Sequence, residues 1–269
     1  MDYTQVKLIA SDMDGTLLPP TGELDPGFFS LFSRLSSRNV HFIAASGRQY
    51  HNLVKKFHPI RNEMTFIAEN GAYVVHRGEE LSVTDLSPDQ AARLIAAVRK
   101  LKDAYPVLCG KNSAYVENRQ PDFLTQVGKY YERLEVVDDL MKVTDDRFLK
   151  IAVYDFKNAG TNAYSTLKTF GQELRVVVSG EYWLDISQQG VDKGKALSLI
   201  QDKLALSPSQ TMVFGDQMND VEMMEQAYYS FAVDNAVDKV KAVSRFRAPA
   251  NTENGVISIM EQVATATEN

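Results

Sequence analysis

The feature that most constrains this chain is a short apolar segment that ends in two acidic residues. The run "VKLIA" (residues 6–10) is followed directly by "SDMDGTLL". The run predicts a buried strand, and carboxylates placed at its end would be strongly destabilising unless a ligand compensated their charge. Asp12 and Asp14 therefore indicate a functional site at the end of a central strand.

Strand and helix signals alternate through the first part of the chain. Residues 26–37 carry apolar side chains at helical spacing behind a predicted N-cap at Asp25, and residues 40–45 form a second buried strand. A further helix begins near Tyr50, and "TFIAENGA" is a third strand. Because this alternation produces parallel strands covered by helices, the pattern predicts an open α/β sheet.

The pattern changes after Ala72 and returns near residue 188. A hairpin turning at Arg77-Gly78 is followed by short strands and by helices predicted after Ser87 and over residues 121–132 and 161–171. We therefore predict an α/β fold with a Rossmann-like parallel sheet core and an inserted α+β cap domain. The predicted boundaries are 1–82 and 188–269 for the discontinuous core and 83–187 for the cap.

Composition limits the classes of partner. The net charge of −6 argues against a nucleic acid or an anionic membrane as the default partner. Cys109 is the only cysteine, so no intramolecular disulfide can form, and we expect a reducing, cytoplasmic location. Neither a signal peptide nor a membrane-spanning apolar run is recognisable in the sequence. The oligomeric state is not predictable from these features.

Polar side chains follow several of the predicted strands. Asp12 and Asp14, Ser46, Asn70, and the group Asp216, Asn219 and Asp220 all stand at predicted carboxyl ends, where open parallel sheets bind ligands. Oxygen ligands without nearby His or Cys favour Mg²⁺. Ser46 and Lys193 could then contact phosphate oxygens, while an Asp could act as nucleophile and a second carboxyl as acid and base.

Each of these patterns has a simpler interpretation when taken alone. "DMDGT" is compatible with a solvated Asx turn, "SGR" with an ordinary turn, and Lys193 with a surface position. A Ca²⁺ loop beginning at Asp12 is disfavoured because its sixth position, which requires Gly, is Leu17. "GVDKGKAL" lacks the Ser/Thr end of a phosphate-binding Walker loop, and the four His residues lack zinc spacing.

Together the patterns are much more specific. "DMDGT", "ASGR", "DKGKAL" and "GDQMND", in this order, resemble the four motifs of the haloacid dehalogenase-like hydrolases, and "IAENGA" and "NTENGV" are similar to the Cof-type branch. The resemblance implies that Asp12 is a nucleophile and Asp14 a general acid and base. It also implies phosphate binding by Ser46, Lys193 and Asn219, and a Mg²⁺ site built from Asp12, Asp14 (through its backbone carbonyl), Asp216 and Asp220. Arg48 and Asn70 are candidate substrate contacts.

The resemblance implies an enzyme, a Mg²⁺-dependent phosphatase that hydrolyses small-molecule phosphate monoesters through an aspartyl-phosphate. Sugar phosphates, nucleotides and pyridoxal phosphate are the candidate substrates, and a small phosphorylated metabolite is the expected partner. Two alternatives remain open: a phosphotransferase or phosphomutase of the same superfamily, and a non-catalytic protein that binds phosphorylated metabolites.

Overall fold

The structure is a computed structural model and describes residues 1–266. Within them the strands are β1 Leu8–Asp12, β2 His41–Ala45, β3 Thr65–Ala68, β4 Tyr73–His76, β5 Glu79–Val83, β6 Ala104–Gly110, β7 Ala114–Val116, β8 Leu134–Val136, β9 Phe148–Asp155, β10 Leu174–Gly180, β11 Trp183–Gln188, β12 Thr211–Gly215, β13 Tyr229–Val233 and β14 Phe246–Ala248. The α-helices are α1 Phe28–Ser36, α2 Tyr50–Lys56, α3 Pro88–Val98, α4 Pro121–Val127, α5 Ala163–Leu167, α6 Lys193–Leu204, α7 Val221–Glu225, α8 Asp238–Val243 and α9 Gly255–Ala266. None of these helices is long and apolar enough to cross a membrane.

The chain divides into two compact units. The first unit comprises residues 1–47, 56–80 and 192–269, and the second comprises residues 48–55 and 81–191. The second unit thus begins and ends within a few residues of the predicted insertion, and it also takes in the short segment 48–55, which the sequence pattern places in the core. The assignment of substrate specificity to the inserted part stays a prediction.

The first unit is built on a sheet with the strand order β14-β13-β12-β1-β2-β3-β4-β5. The strands from β14 to β3 pair in parallel, and β4 pairs antiparallel with β3. Every residue of β1 is buried, as expected for a strand between β12 and β2 that is covered on both faces. The chain leaves β1 towards β2 and returns later as β12, so the order reverses at β1. The predicted α/β fold is confirmed, and this reversal is where such sheets bind ligands.

The second unit contains a six-stranded sheet with the order β10-β11-β9-β6-β7-β8. Its pairs are antiparallel except for the parallel pair of β7 with β8. Successive residues of β9 alternate between two apolar clusters: Ile151 packs with residues of α3 and α5, whereas Ala152 packs with Phe123 and Val127 of α4. Helices therefore cover both faces of this sheet.

Several element boundaries differ from the sequence predictions. The helix expected over 121–132 ends at Val127, and the helix expected over 161–171 is α over Ala163–Leu167 and tighter 3₁₀ helix to Gln172. The N-cap of α1 is Gly27 and not Asp25, whose carboxylate accepts a hydrogen bond from the Gly27 N–H. The three-residue strands β8 and β14 were missed, since so short a segment carries no measurable periodicity.

A buried ion pair lies on the α4 face of the six-stranded sheet. The Lys150 Nζ is 3.2 Å from the Asp185 Oδ2, and their side chains are 3% and 11% exposed. Removing one partner takes away the opposite charge that the other faces inside the sheet, which costs more than removing both. The pair is therefore a strong local constraint on how β9 and β11 pack.

We expect Lys150→Met to lower the free energy of unfolding by about 3 kcal/mol, because it leaves the Asp185 carboxylate buried without its ammonium partner. The double variant Lys150→Met/Asp185→Leu should recover most of this loss. Urea unfolding of the four proteins in a double-mutant cycle measures both effects. A double variant no more stable than Lys150→Met would contradict this interpretation.

Candidate active site

The loop after β1 begins with a buried carboxylate. Asp12 ends β1 with 6% exposure, and the loop turns back so that the Leu17 N–H donates to the Asp12 carbonyl at 3.2 Å. Gly15 has φ of +80°, and a Cβ there would lie 2.5 Å from the Asp216 Oδ2. Only glycine fits this conformation and this close approach. Asp14 lies between these two positions and is exposed.

The loop after β12 supplies two further buried acids. Asp216 follows the last residue of β12, and its Oδ1 accepts a hydrogen bond from the Thr16 hydroxyl at 2.7 Å. Asp220 accepts the backbone N–H groups of Asp216 and Gln217 on its Oδ2, at 2.9 and 3.1 Å. The Asp220 carboxylate thus fixes the turn that presents Asp216.

Lys193 joins the two loops. It is the first residue of α6 and is completely buried, with its Nζ 2.5 Å from the Asp12 Oδ1 and 2.7 Å from the Asp220 Oδ1. Burial by itself would lower the pKa of this ammonium, but the carboxylates of Asp12 and Asp220 outweigh burial and hold the pKa above its usual range. Lys193 is therefore charged at neutral pH, and it binds two acids at once.

The acidic side chains outnumber this single ammonium. Oxygens of Asp12, Asp216 and Asp220 all lie within 4.8 Å of one another. Burial and the neighbouring acids raise the pKa of Asp12 well above its usual value despite the opposing effect of Lys193. Burial and then Asp220 raise the pKa of Asp216 to about 6. Crowded, buried carboxylate oxygens with excess negative charge fit a hard divalent cation such as Mg²⁺.

Ser46, Asn70 and Asn219 form a second, neighbouring set of contacts. Ser46 follows β2 and is buried, and its backbone carbonyl accepts the Asn70 N–H at 2.9 Å. Asn70 adopts a left-handed conformation with φ of 57°, and its Oδ1 accepts a bond from the Asn219 Nδ2 at 2.9 Å. The structure thus links three predicted site residues that are far apart in the sequence.

Arg48 contacts Tyr130 and Asn52, which both belong to the second unit. Its guanidinium carbon lies 5.4 Å from the centroid of the Tyr130 ring, and its Nη1 donates to the Asn52 Oδ1 at 2.8 Å. Of the predicted site residues, Arg48 is the one assigned to that unit, whereas the others belong to the first unit.

Three contacts to the loop after β1 were not anticipated from the sequence. The Thr16 hydroxyl holds Asp216, as described above. The Asn235 Nδ2 donates to the Gly15 carbonyl at 2.7 Å, and the Asn251 Nδ2 donates to the Leu18 carbonyl at 2.8 Å. The signals available were the Thr of "DMDGT" and the Asn of "NTENGV", but neither indicates a partner by itself.

These features define a protein of the doubly wound α/β class with an acidic centre at the carboxyl end of its sheet. A family model described as haloacid dehalogenase-like hydrolase matches residues 9–260. The chain therefore belongs to the haloacid dehalogenase-like hydrolases. The family predicted from the ordered motifs is confirmed, and so is the prediction of a hydrolase of the phosphatase type.

Named relatives match along almost the whole chain. The 5-amino-6-(5-phospho-D-ribitylamino)uracil phosphatase YbjI of Escherichia coli is 33% identical over 261 residues, which cover 96% of each chain. The HMP-PP phosphatase of Escherichia fergusonii is 27% identical over 238 residues, covering 88% of this chain and 87% of the relative.

Solved structures show the same fold. SMU.1108c of Streptococcus mutans superposes with a TM-score of 0.89 at 28% identity, covering 97% of this chain and 99% of that one. The subclass IIB sugar phosphatase BT4131 superposes with a TM-score of 0.82 at 18% identity, covering 96% and 98%. These likenesses show that the chain shares the fold of these proteins over almost its whole length.

We expect Mg²⁺ to raise the melting temperature of the protein, because an ion bound only by the folded chain stabilises it by mass action. At a hundredfold excess over the dissociation constant the rise should be about 5 °C or more. Differential scanning fluorimetry in EDTA and in Mg²⁺ measures it. Asp216→Asn should abolish most of the rise, whereas Asp138→Asn, which changes an acid with 95% side-chain exposure, should preserve it. An equal rise in both variants would argue against a metal site at Asp216.

Proposed function

We propose that the protein is a Mg²⁺-dependent phosphatase that hydrolyses phosphate monoesters of small metabolites through an aspartyl-phosphate. The observation that carries the proposal is the buried Lys193 ammonium bound to Asp12 beside the acids Asp216 and Asp220. A buried cation next to a nucleophilic carboxylate suits a transferring phosphoryl group, whose charge must be offset away from water. The names of the relatives, which are phosphatases of small phosphorylated compounds, support the same substrate class.

In the first step the Asp12 carboxylate attacks phosphorus and displaces the leaving alcohol. A phosphorus–oxygen bond to Asp12 forms, and the ester bond to the leaving group breaks. Asp14, exposed two residues later on the same loop, donates a proton to the departing oxygen. Lys193 stabilises the ionised Asp12, and with Ser46 it offsets charge on the phosphoryl oxygens.

In the second step water hydrolyses the aspartyl-phosphate. Asp14, now deprotonated, removes a proton from the water, whose oxygen forms a new bond to phosphorus. The bond from phosphorus to Asp12 breaks, so that inorganic phosphate and the free Asp12 carboxylate are released. The same carboxyl group thus serves as acid and then as base.

The carboxylates of Asp12 and Asp216 and the backbone carbonyl of Asp14 would hold the Mg²⁺. When bound, the ion supplies positive charge that keeps the carboxylates ionised and neutralises phosphoryl oxygens. Asp220 already accepts bonds from Lys193 and from two backbone N–H groups. We therefore propose that Asp220 chiefly positions Lys193 and Asp216, and contributes to the metal site through its charge.

Two broader predictions complete the proposal. The second unit, inserted between Ser46 and Lys193 in the chain, is proposed to select the substrate, since the first unit supplies the residues that react. A cytoplasmic location stays a prediction from the single cysteine.

Asp12→Asn should lower kcat for phosphate release by about a thousandfold or more, because the nucleophile is lost. Release of inorganic phosphate from p-nitrophenyl phosphate with Mg²⁺ measures it, with Asp138→Asn as the control and the melting temperature as the check on folding. Turnover by Asp12→Asn close to that of the unchanged protein would exclude Asp12 as nucleophile.

Asp14→Asn should separate the two steps. The p-nitrophenolate leaving group departs without a strong acid, so Asp12 can still be phosphorylated, but the base for the second step is missing. Intact-mass spectrometry after acid quench should therefore show a chain heavier by one phosphoryl group, and the Asp12→Asn/Asp14→Asn double variant should not show it. If no covalent adduct accumulates although p-nitrophenol is released, direct attack by water replaces the proposed intermediate.

A further inference from the structure

Aromatic side chains form a continuous series of ring contacts in the second unit. The Tyr130 and Trp183 rings meet edge to face with centroids 5.4 Å apart, and Trp183 meets Tyr154 in the same way at 5.0 Å. Tyr154 in turn contacts Tyr182 at 6.3 Å and Phe123 at 6.1 Å. These rings come from α4, the segment after it, the neighbouring strands β9 and β11, and the turn before β11.

The two ends of this series differ in burial. Phe123 and Tyr154 are buried and belong to the apolar cluster under α4. Tyr130 and Trp183 are only partly buried, and Tyr182 is 39% exposed. Burial of the inner rings is ordinary core packing, whereas the outer rings keep aromatic surface in contact with solvent.

The Trp183 indole N–H is also available to a ligand. A Trp used for packing alone commonly donates its N–H to a protein acceptor. Within residues 1–266 the indole of Trp183 has no such acceptor, and it is not among the buried polar groups that lack a partner. The ring therefore offers a donor at its edge, next to its exposed aromatic surface.

A cation lies at the outer end of the series. The Arg48 guanidinium stands over the Tyr130 ring at 5.4 Å, and the Asn52 Oδ1 anchors it at 2.8 Å. A guanidinium plane and aromatic rings are the groups on which flat heterocycles stack, and the guanidinium and indole N–H groups can donate to ring carbonyls or nitrogens. In the chain, Arg48 is only two residues after Ser46, the proposed phosphate ligand.

We propose that Arg48, Tyr130 and Trp183 form a binding site for a planar heteroaromatic ring, so that the substrates are phosphate monoesters of heteroaromatic compounds. Pyrimidine, flavin and pyridoxal esters share this chemistry, and sugar phosphates lack it. The inference rests on the proposed phosphatase function and narrows its substrate class.

The direct test uses the fluorescence of Trp183, which is the only tryptophan of the chain. In the Asp12→Asn protein with Mg²⁺, uridine 5′-monophosphate should quench this fluorescence saturably. Ribose 5-phosphate, which has the same phosphate and sugar but no ring, should bind about tenfold more weakly and cause little quenching. Equal affinity for the two ligands would overturn the assignment of the ring site.

The kinetic test compares kcat/KM of the unchanged protein for two sets of substrates. The heteroaromatic esters are uridine 5′-monophosphate, flavin mononucleotide and pyridoxal 5′-phosphate, and the ring-free esters are ribose 5-phosphate and glucose 6-phosphate. At least one heteroaromatic ester should exceed both ring-free esters by about tenfold. If ring-free esters are hydrolysed as well as all the others, the ring site is wrong and the phosphatase proposal stands. If no ester is hydrolysed, the phosphatase proposal fails, whereas the fluorescence titration still tests the ring site.

Substitutions at Tyr130 and Trp183 test whether these rings produce the preference for heteroaromatic esters. Tyr130→Leu and Trp183→Leu should each reduce the ratio of kcat/KM between the best heteroaromatic ester and ribose 5-phosphate by about tenfold. Trp183→Phe, which keeps an aromatic ring at this position, should retain most of the ratio. The matched control is Tyr164→Leu, because Tyr164 is 38% exposed in the same unit. An unchanged ratio in both test variants, with melting temperatures near that of the unchanged protein, would contradict the proposal.

Discussion

The contact between the Lys193 ammonium and the carboxylates of Asp12 and Asp220 is the interaction on which the site depends. Strands β1 and β12 lead into loops that carry three buried acids, and α6 places one buried cation among them. One ammonium cannot balance three carboxylates, and burial, together with the neighbouring acids, raises the pKa values of Asp12 and Asp216. The centre therefore fits a further cation, and we propose that Asp12 reacts there with the substrate.

The parallel sheet explains how distant residues reach one place. The ends of β1, β2 and β12 lie at the same edge, which brings together Asp12 at the end of β1, Ser46 after β2 and Asp216 after β12. Glycine at position 15 lets the first loop approach Asp216, and Thr16, Asn235 and Asn251 fix that loop through hydrogen bonds. The groups proposed to react are therefore held by backbone geometry in the protein without substrate, as electrostatic catalysis requires.

The α/β fold and several candidate site residues could be predicted from the sequence, because local sequence signals agree with the global fold. An apolar strand ending in acids, repeated strand–helix alternation, and four motifs in order indicated the α/β fold and the residues Asp12, Lys193 and Asp216. What could not be predicted arises from contacts between distant segments. No local pattern shows that Asp220 would hold Lys193, or that residues 48, 130 and 183 would meet in one series of contacts. Short edge strands such as β14 likewise form because a neighbouring strand offers hydrogen bonds.

The central claim is that Asp12 is the nucleophile that attacks phosphorus. Lys193 and a bound Mg²⁺ are proposed to offset the negative charge around it. A crystal structure with Mg²⁺ and beryllium fluoride, a mimic of the phosphoryl group, tests it most directly. We expect the mimic to be attached to an Asp12 carboxylate oxygen, with Lys193 at hydrogen-bond distance and the ion held by Asp12 and Asp216. A mimic or an ion bound away from Asp12 under the same conditions would contradict the account.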